Sequence, residues 1–157
     1  MMERIWAPWR KAYITLEKPK GCIFCNALNT KKPAENSYLL KKERYAFSIL
    51  NIYPYNNAHV MVAPVRHVKS LEFLKDAELL AVMKLVNHTK KKIDKLLKPA
   101  GYNIGLNIGR VAGAGFPGHA HIHIVPRWQG DANFMPVISD TKVIPYSLHE
   151  MQKLLKG

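Results

Sequence analysis

Short apolar blocks broken by charged or glycine-rich stretches alternate along this chain, with one long amphipathic run among them. "ENSYLLKKERYAFSILNIYP" predicts two strands joined by a charged turn at Lys41–Arg44. "AHVMVAP" predicts a third strand, stopped by Pro64 because proline cannot donate to a ladder. In residues 76–97 the apolar positions Leu79, Leu80, Met83, Val86, Ile93, Leu96 and Leu97 recur near a 3.6-residue period, which predicts one long helix. Asp76 is the expected cap, and "PAG" at 99–101 the expected end. "GYNIGLNIG" and "HAHIHIV" predict two further strands, separated by the glycine-rich "GRVAGAGFPG". Ser147 and Glu150 in "SLHEMQKLLKG" stand at capping-box spacing, so a short C-terminal helix follows. Five strands with one long helix between the third and fourth define an antiparallel α+β domain.

A chain of 157 residues with 48% hydrophobic content suits one domain spanning 1–157. No apolar run approaches the roughly 20 residues needed to cross a bilayer, and "MMERIWAPWRKAY" lacks the apolar centre of a signal peptide, so a soluble, cytoplasmic protein is expected. The only two cysteines lie in "GCIFC", a spacing that suits metal or redox chemistry better than a disulfide framework. A net charge of +13 favours anionic partners, phosphate-bearing ligands among them. The lysine clusters read as solvated faces, and without an aromatic-rich binding signature, basic zipper or zinc-finger spacing nucleic acid is not an expected partner.

The chemistry concentrates in "GHAHIHIVPRW", residues 118–128. Side chains alternate between the two faces of a strand, so His119, His121 and His123 are expected on one face and Ala120, Ile122 and Ile124 on the other. Three imidazoles in a row would repel if all were charged, so each is expected to be fixed in a distinct state, with metal ligation, nucleophilic attack and proton donation as the available roles. The preceding loop has four glycines in ten residues, which lets backbone N–H groups approach an anion.

"HAHIHIVPRW" resembles the signature of the histidine triad (HIT) superfamily of nucleotide hydrolases and transferases. The likeness extends through "CIFC", "NIYPYNNAHVMVAPVRHV" and "GLNIG". "IWAPWRKAYI" and "VPRWQGDANFMPVI" look most like the bacterial branch that contains diadenosine tetraphosphate phosphorylases and hydrolases. The resemblance implies a HIT-like fold and cleavage of a phosphoanhydride at the α-phosphorus, with His121 as the nucleophile that forms a nucleotidyl-histidine. His123 is implied to bond the phosphate or leaving group, and Asn107 the α-phosphate or leaving-group oxygen. Asn51 is implied to bind the ribose, Ile52 to lie against the base, Ile23 and Phe24 to line the purine pocket, and His59 to orient the triad. Cys22, Cys25, His67 and His119 match the ligands of a structural zinc in those members that carry one. Where relatives usually have Ser or Thr before the triad, this chain has Gly115 and Phe116, leaving backbone N–H groups to contact phosphate. The family also implies a homodimer. The alternatives are a purine nucleoside phosphoramidate hydrolase, or a nucleotide-binding signalling module with incidental turnover.

Overall fold

The computed structural model describes residues 21–29, 38–131 and 142–156. The "IWAPWRKAYI" and "ANFMPVI" stretches singled out above lie outside the described residues. A short helix α1 (Ile23–Asn29) precedes strands β1 (Leu39–Lys42), β2 (Ala46–Leu50) and β3 (Val60–Pro64). A 3-10 turn at Leu71–Phe73 leads to the long helix α2 (Asp76–Leu97), followed by β4 (Gly101–Leu106), β5 (Ile122–Arg127) and α3 (Leu148–Lys156). The strands form one five-stranded sheet in the order β1-β2-β3-β5-β4, with every neighbouring pair antiparallel.

All residues of β2 and β3 are buried, so both faces of the central strands are covered. On one face Ala46, Leu50, Val60, Val62, Ile122 and Ile124 pack against Val82, Leu85, Val86 and Ile93 of α2 and Met151 and Leu155 of α3. Each of these side chains larger than alanine contributes about 1.5–3 kcal/mol when fully buried, which makes this layer the main stabilising term. On the other face Phe47, Ile49, Met61 and Ala63 pack against Phe24 of α1. His123 pairs with Met61 across β3 and with Gly105 across β4, so alternation puts its side chain on the α1 face, away from the long helix.

The expected cap of α2 is displaced by one residue. Asp76 is the first helical residue, and Lys75 precedes it with its N–H donated to Glu78 Oε2 at 2.9 Å. The carboxylate three residues into the helix therefore satisfies the exposed donor, while Asp76 serves as a negative charge in the first turn. At the other end Lys98 adopts the left-handed conformation (φ 47°) and Pro99 forbids continuation. The α3 capping box forms as expected, with Glu150 N–H donating to Ser147 Oγ at 3.2 Å and Ser147 N–H to Glu150 Oε2 at 2.9 Å. Trp128 Nε1–H donates to Leu97 O and Tyr102 Oη–H to Asp94, tying the end of α2 to β5 and β4.

The histidine row departs from the expected single strand. Only His123 lies within the ladder, because β3 pairs with β5 only from Val60 to Val62. Continuing that register would set Pro64 opposite Ala120, and proline has no N–H to offer. Ala120 N–H donates instead to Val68 O at 2.6 Å, so the segment carrying His119 and His121 is pinned to the chain beyond β3.

Candidate active site and metal centre

Four imidazoles have their protons assigned by partners that can act in only one way. His121 Nδ1 lies 2.7 Å from the carbonyl oxygen of His119, and a carbonyl only accepts, so Nδ1 carries the proton and Nε2 keeps a bare lone pair. His119 Nε2 lies 2.8 Å from Pro64 O, so Nε2–H donates and Nδ1 is free to ligate. Tyr55 donates its backbone N–H to His59 Nδ1 at 3.1 Å, which makes that nitrogen an acceptor and places the proton on His59 Nε2. His59 Nε2–H then donates to His123 Nδ1 at 2.9 Å, leaving His123 with Nε2–H as its donor. The adjacent triad members thus present opposite functions, a lone pair on His121 and an N–H on His123, with ring centroids 4.8 Å apart.

Burial holds these rings neutral. His59 is pushed down to about 3 and His123 to about 4, in both cases first by removal from water and then by charge on neighbouring imidazoles. Burial also lowers His121, partly opposed by its bond to the His119 carbonyl. Phe24 packs its ring 4.7 Å from that of His121 and 5.1 Å from that of His119. Being 1% exposed, it sits beneath the rings in the core, whereas Ile23, 40% exposed, lies on the open side of α1.

Asn51 follows the end of β2, with its Nδ2 3.3 Å from His59 Nδ1 and its Oδ1 accepting Tyr53 N–H at 2.9 Å. Ile52 beside it is 45% exposed. Asn107 lies just past β4 and reaches across the glycine loop to Gly113 O at 3.5 Å, where Gly113 holds φ +83°. Gly115 faces open space, since nothing lies within 4 Å of where its Cβ would be.

Cys22, Cys25, His67 and His119 place their ligand atoms within 4.8 Å of one another. Cys22 Sγ lies 3.3 Å from His119 Nδ1, Cys25 Sγ 3.4 Å from His67 Nδ1, and Cys25 Sγ 3.8 Å from His119 Nδ1. Edges of about 3.3–3.8 Å are those of a tetrahedron around zinc with thiolate and imidazole ligands. Cys25 N–H points to Cys22 Sγ at 3.5 Å, and the Pro64 carbonyl fixes the His119 tautomer from behind. The four residues can therefore hold a metal ion, and two thiolates with two imidazoles are ligand types suited to zinc.

Residue reading missed two supports of this site. One is Tyr55, whose ring stacks beside His59 and His123. The other is the buried Asp131 carboxylate, which accepts Asn56 Nδ2–H at 2.8 Å and two bonds from the Arg127 guanidinium, holding the His59 loop to the end of β5. The only available signal was local, the aromatics and asparagines of "YPYNN" just before His59.

An antiparallel α+β sheet bearing a row of neutral, oppositely presented imidazoles beside a Cys₂His₂ cluster defines the class. The HIT domain model matches residues 32–130, and the chain belongs to that family. It is 35% identical over 162 residues to the AP-4-A phosphorylase of Mycobacterium tuberculosis, covering 98% of this chain and 83% of that one. It is 31% identical over 107 residues to the adenosine 5′-monophosphoramidase of Schizosaccharomyces pombe, covering 68% of this chain and 74% of that one. A histidine triad nucleotide-binding protein of Sulfolobus tokodaii superposes with a TM-score of 0.69 at 27% identity, over 86% of this chain and 89% of that one. Among the described residues no helix is long and apolar enough to cross a membrane.

The imidazole states carry a stability signature. The folded values of His59 and His123 lie below the ordinary value near 6.5, so as pH falls below about 6.5 the unfolded chain takes up protons that the folded chain refuses. Stability from these rings is fully present above that pH and declines toward pH 4, by about 1.4 kcal/mol per pH unit for the fully buried His59. Urea melts at pH 7, 6 and 5 should give steadily lower midpoints, and equal midpoints would contradict the assignment.

Proposed function

We propose that this protein is a nucleotide hydrolase or transferase that cleaves a phosphoanhydride, with a dinucleoside polyphosphate such as diadenosine tetraphosphate as substrate, through a nucleotidyl-His121 intermediate. The observation that carries the reading is the bond from His121 Nδ1–H to the His119 carbonyl, which leaves Nε2 unprotonated and able to act as nucleophile. Nε2 attacks the α-phosphorus, a P–N bond forms, and the bond to the bridging oxygen breaks. The imidazole becomes cationic on phosphorylation, and the His119 carbonyl, still accepting Nδ1–H, stabilises that charge. His123 Nε2–H hydrogen-bonds the departing polyphosphate oxygen. Water or phosphate then attacks the same phosphorus, breaks the P–N bond and restores the lone pair.

In this reading Asn51 binds the ribose, Ile52 and Ile23 flank the base, and Phe24 backs the nucleophile from within the pocket wall. Asn107 and the backbone at Gly115 receive the phosphates. The likeness to the mycobacterial phosphorylase over nearly the whole chain supports the dinucleotide. The yeast phosphoramidase, matched over a shorter span, supports a nucleoside phosphoramidate as the second substrate class. His121→Ala should abolish turnover by at least about 10³-fold while retaining nucleotide binding. Product analysis of labelled diadenosine tetraphosphate with and without phosphate separates phosphorolysis from hydrolysis, and normal turnover by His121→Ala would falsify the mechanism.

Cys22, Cys25, His67 and His119 would hold a structural zinc, whose chemistry is to crosslink α1 to the segment carrying the nucleophile. Four protein ligands leave no open position for water. Metal analysis of protein purified without added zinc should find about one equivalent per chain, lost together with about half or more of the thiol protection in Cys25→Ser. A folded, metal-free protein with both thiols freely titratable contradicts this.

The chain is proposed to work as a cytoplasmic homodimer, one domain per protomer. The outer edge of β4 is unpaired among the described residues, with Asn103, Ile104 and Gly105 exposed, and Leu79, Leu80 and Met83 form an exposed apolar strip on α2. Pairing such an edge with a second copy removes an aggregation liability. Light scattering should return twice the chain mass, whereas a monomer at micromolar concentration would exclude it.

A further inference from the structure

The loop between β2 and β3 carries an aromatic ring to which the reaction scheme above assigns no task. Tyr55 is 56% exposed, yet its ring lies 4.7 Å from the His59 ring at 33° and 5.9 Å from the His123 ring at 30°. A side chain that far out of the core gains little from burial, so its position over the two imidazoles has to come from the backbone that bears it. That backbone is held on both sides. Before Tyr55, Asn51 Oδ1 accepts Tyr53 N–H, Asn51 N–H donates to His59 O at 2.9 Å, and Pro54 restricts the turn. After it, the buried Asn56 donates to Pro126 O at 3.0 Å and to Asp131 at 2.8 Å.

Between these anchors Tyr55 touches the histidine pair twice, through its amide N–H on His59 Nδ1 and through its ring over both imidazoles. We propose that Tyr55 is the positioning residue of the His59–His123 pair: its amide orders the protons along the pair, and its ring roofs the pair against water so that His123 keeps its N–H aimed at the leaving group. The proposal rests on the reading that His123 serves the leaving group.

Among the described residues, the groups facing the pair are the His121 ring, the Asn51 amide and the Tyr55 ring, while Met61 and Gly105, opposite His123 across the sheet, bring no charge. Proton order is therefore decided inside this small set. A second proton on His123 Nδ1 would face the His59 Nε2–H at 2.9 Å, donor against donor, so the order persists only while both rings stay neutral. Desolvation is the leading cause that keeps them neutral, and the Tyr55 ring lies against both imidazoles.

The test compares wild type, Tyr55→Ala and Tyr55→Phe by nitrogen NMR of labelled histidine across pH 4 to 8, beside steady-state kinetics on diadenosine tetraphosphate. Tyr55→Ala keeps the amide and removes the roof. Its His59 and His123 resonances should titrate about one pH unit or more higher than in wild type, with mixed protonation of His123 Nδ1, and Tyr55→Phe should restore the wild-type titration. Turnover by Tyr55→Ala should show kcat lowered about tenfold, KM changed by less than about threefold, and the acid limb of the pH profile moved upward. Unchanged histidine titration in Tyr55→Ala overturns the proposal. So does a Tyr55→Phe variant as shifted as Tyr55→Ala, or a loss confined to KM, which would make Tyr55 a substrate contact. If wild type turns over no dinucleotide, it is the enzymatic reading that fails, and the NMR titration by itself decides the role of Tyr55.

Discussion

A carbonyl oxygen can only accept, and that elementary constraint organises this protein's site. The His119 carbonyl takes the Nδ1 proton of His121, and the Pro64 carbonyl takes the Nε2 proton of His119. The first leaves His121 Nε2 unprotonated, and the second leaves the His119 Nδ1 lone pair facing a pair of thiols. Neither state is intrinsic to imidazole, which in water exchanges both tautomers freely. Backbone placement converts chemically identical side chains into two opposite tautomers, Nδ1–H on His121 and Nε2–H on His119.

The backbone can do this because the ladder stops where it does. Pro64 ends the pairing of β3 with β5, so the chain at 119–121 leaves sheet geometry and turns its carbonyl back onto its own His121 ring. Had the strand run straight through, that carbonyl would be committed to a neighbouring strand. The same proline supplies the oxygen that fixes His119, so one residue both interrupts the sheet and orients the cluster beside it.

Two aromatic rings bracket the imidazole row from opposite ends. Phe24, set between Cys22 and Cys25, packs on His119 and His121 from the core. Tyr55 covers His59 and His123 at the surface. Rings held between aromatic surfaces lose contact with water, and neutral imidazoles are the result. The site therefore combines two supports that belong to different parts of the chain, a buried one tied to the Cys₂His₂ cluster and an exposed one tied through Asn56 and Asp131 to the end of β5.

Sequence by itself determined the strands, the long helix and its bounds and the α3 capping box, because hydrophobic period, proline and glycine placement and residue spacing are local properties. It also indicated the Cys₂His₂ set, through likeness rather than spacing. It misplaced the histidine row as continuous strand and the cap at Asp76, since register against β3 and the reach of the Glu78 carboxylate are set by neighbours distant in space or by side-chain geometry. It assigned Phe24 to a binding wall, and only packing revealed the ring beneath His121. The tautomers of His119 and His123, the anchoring of the His59 loop by Asp131 and the placing of the Tyr55 ring over His123 were decided by tertiary structure. Hydrogen bonds between residues scores of positions apart exist only once the sheet has brought β2, β3 and β5 side by side.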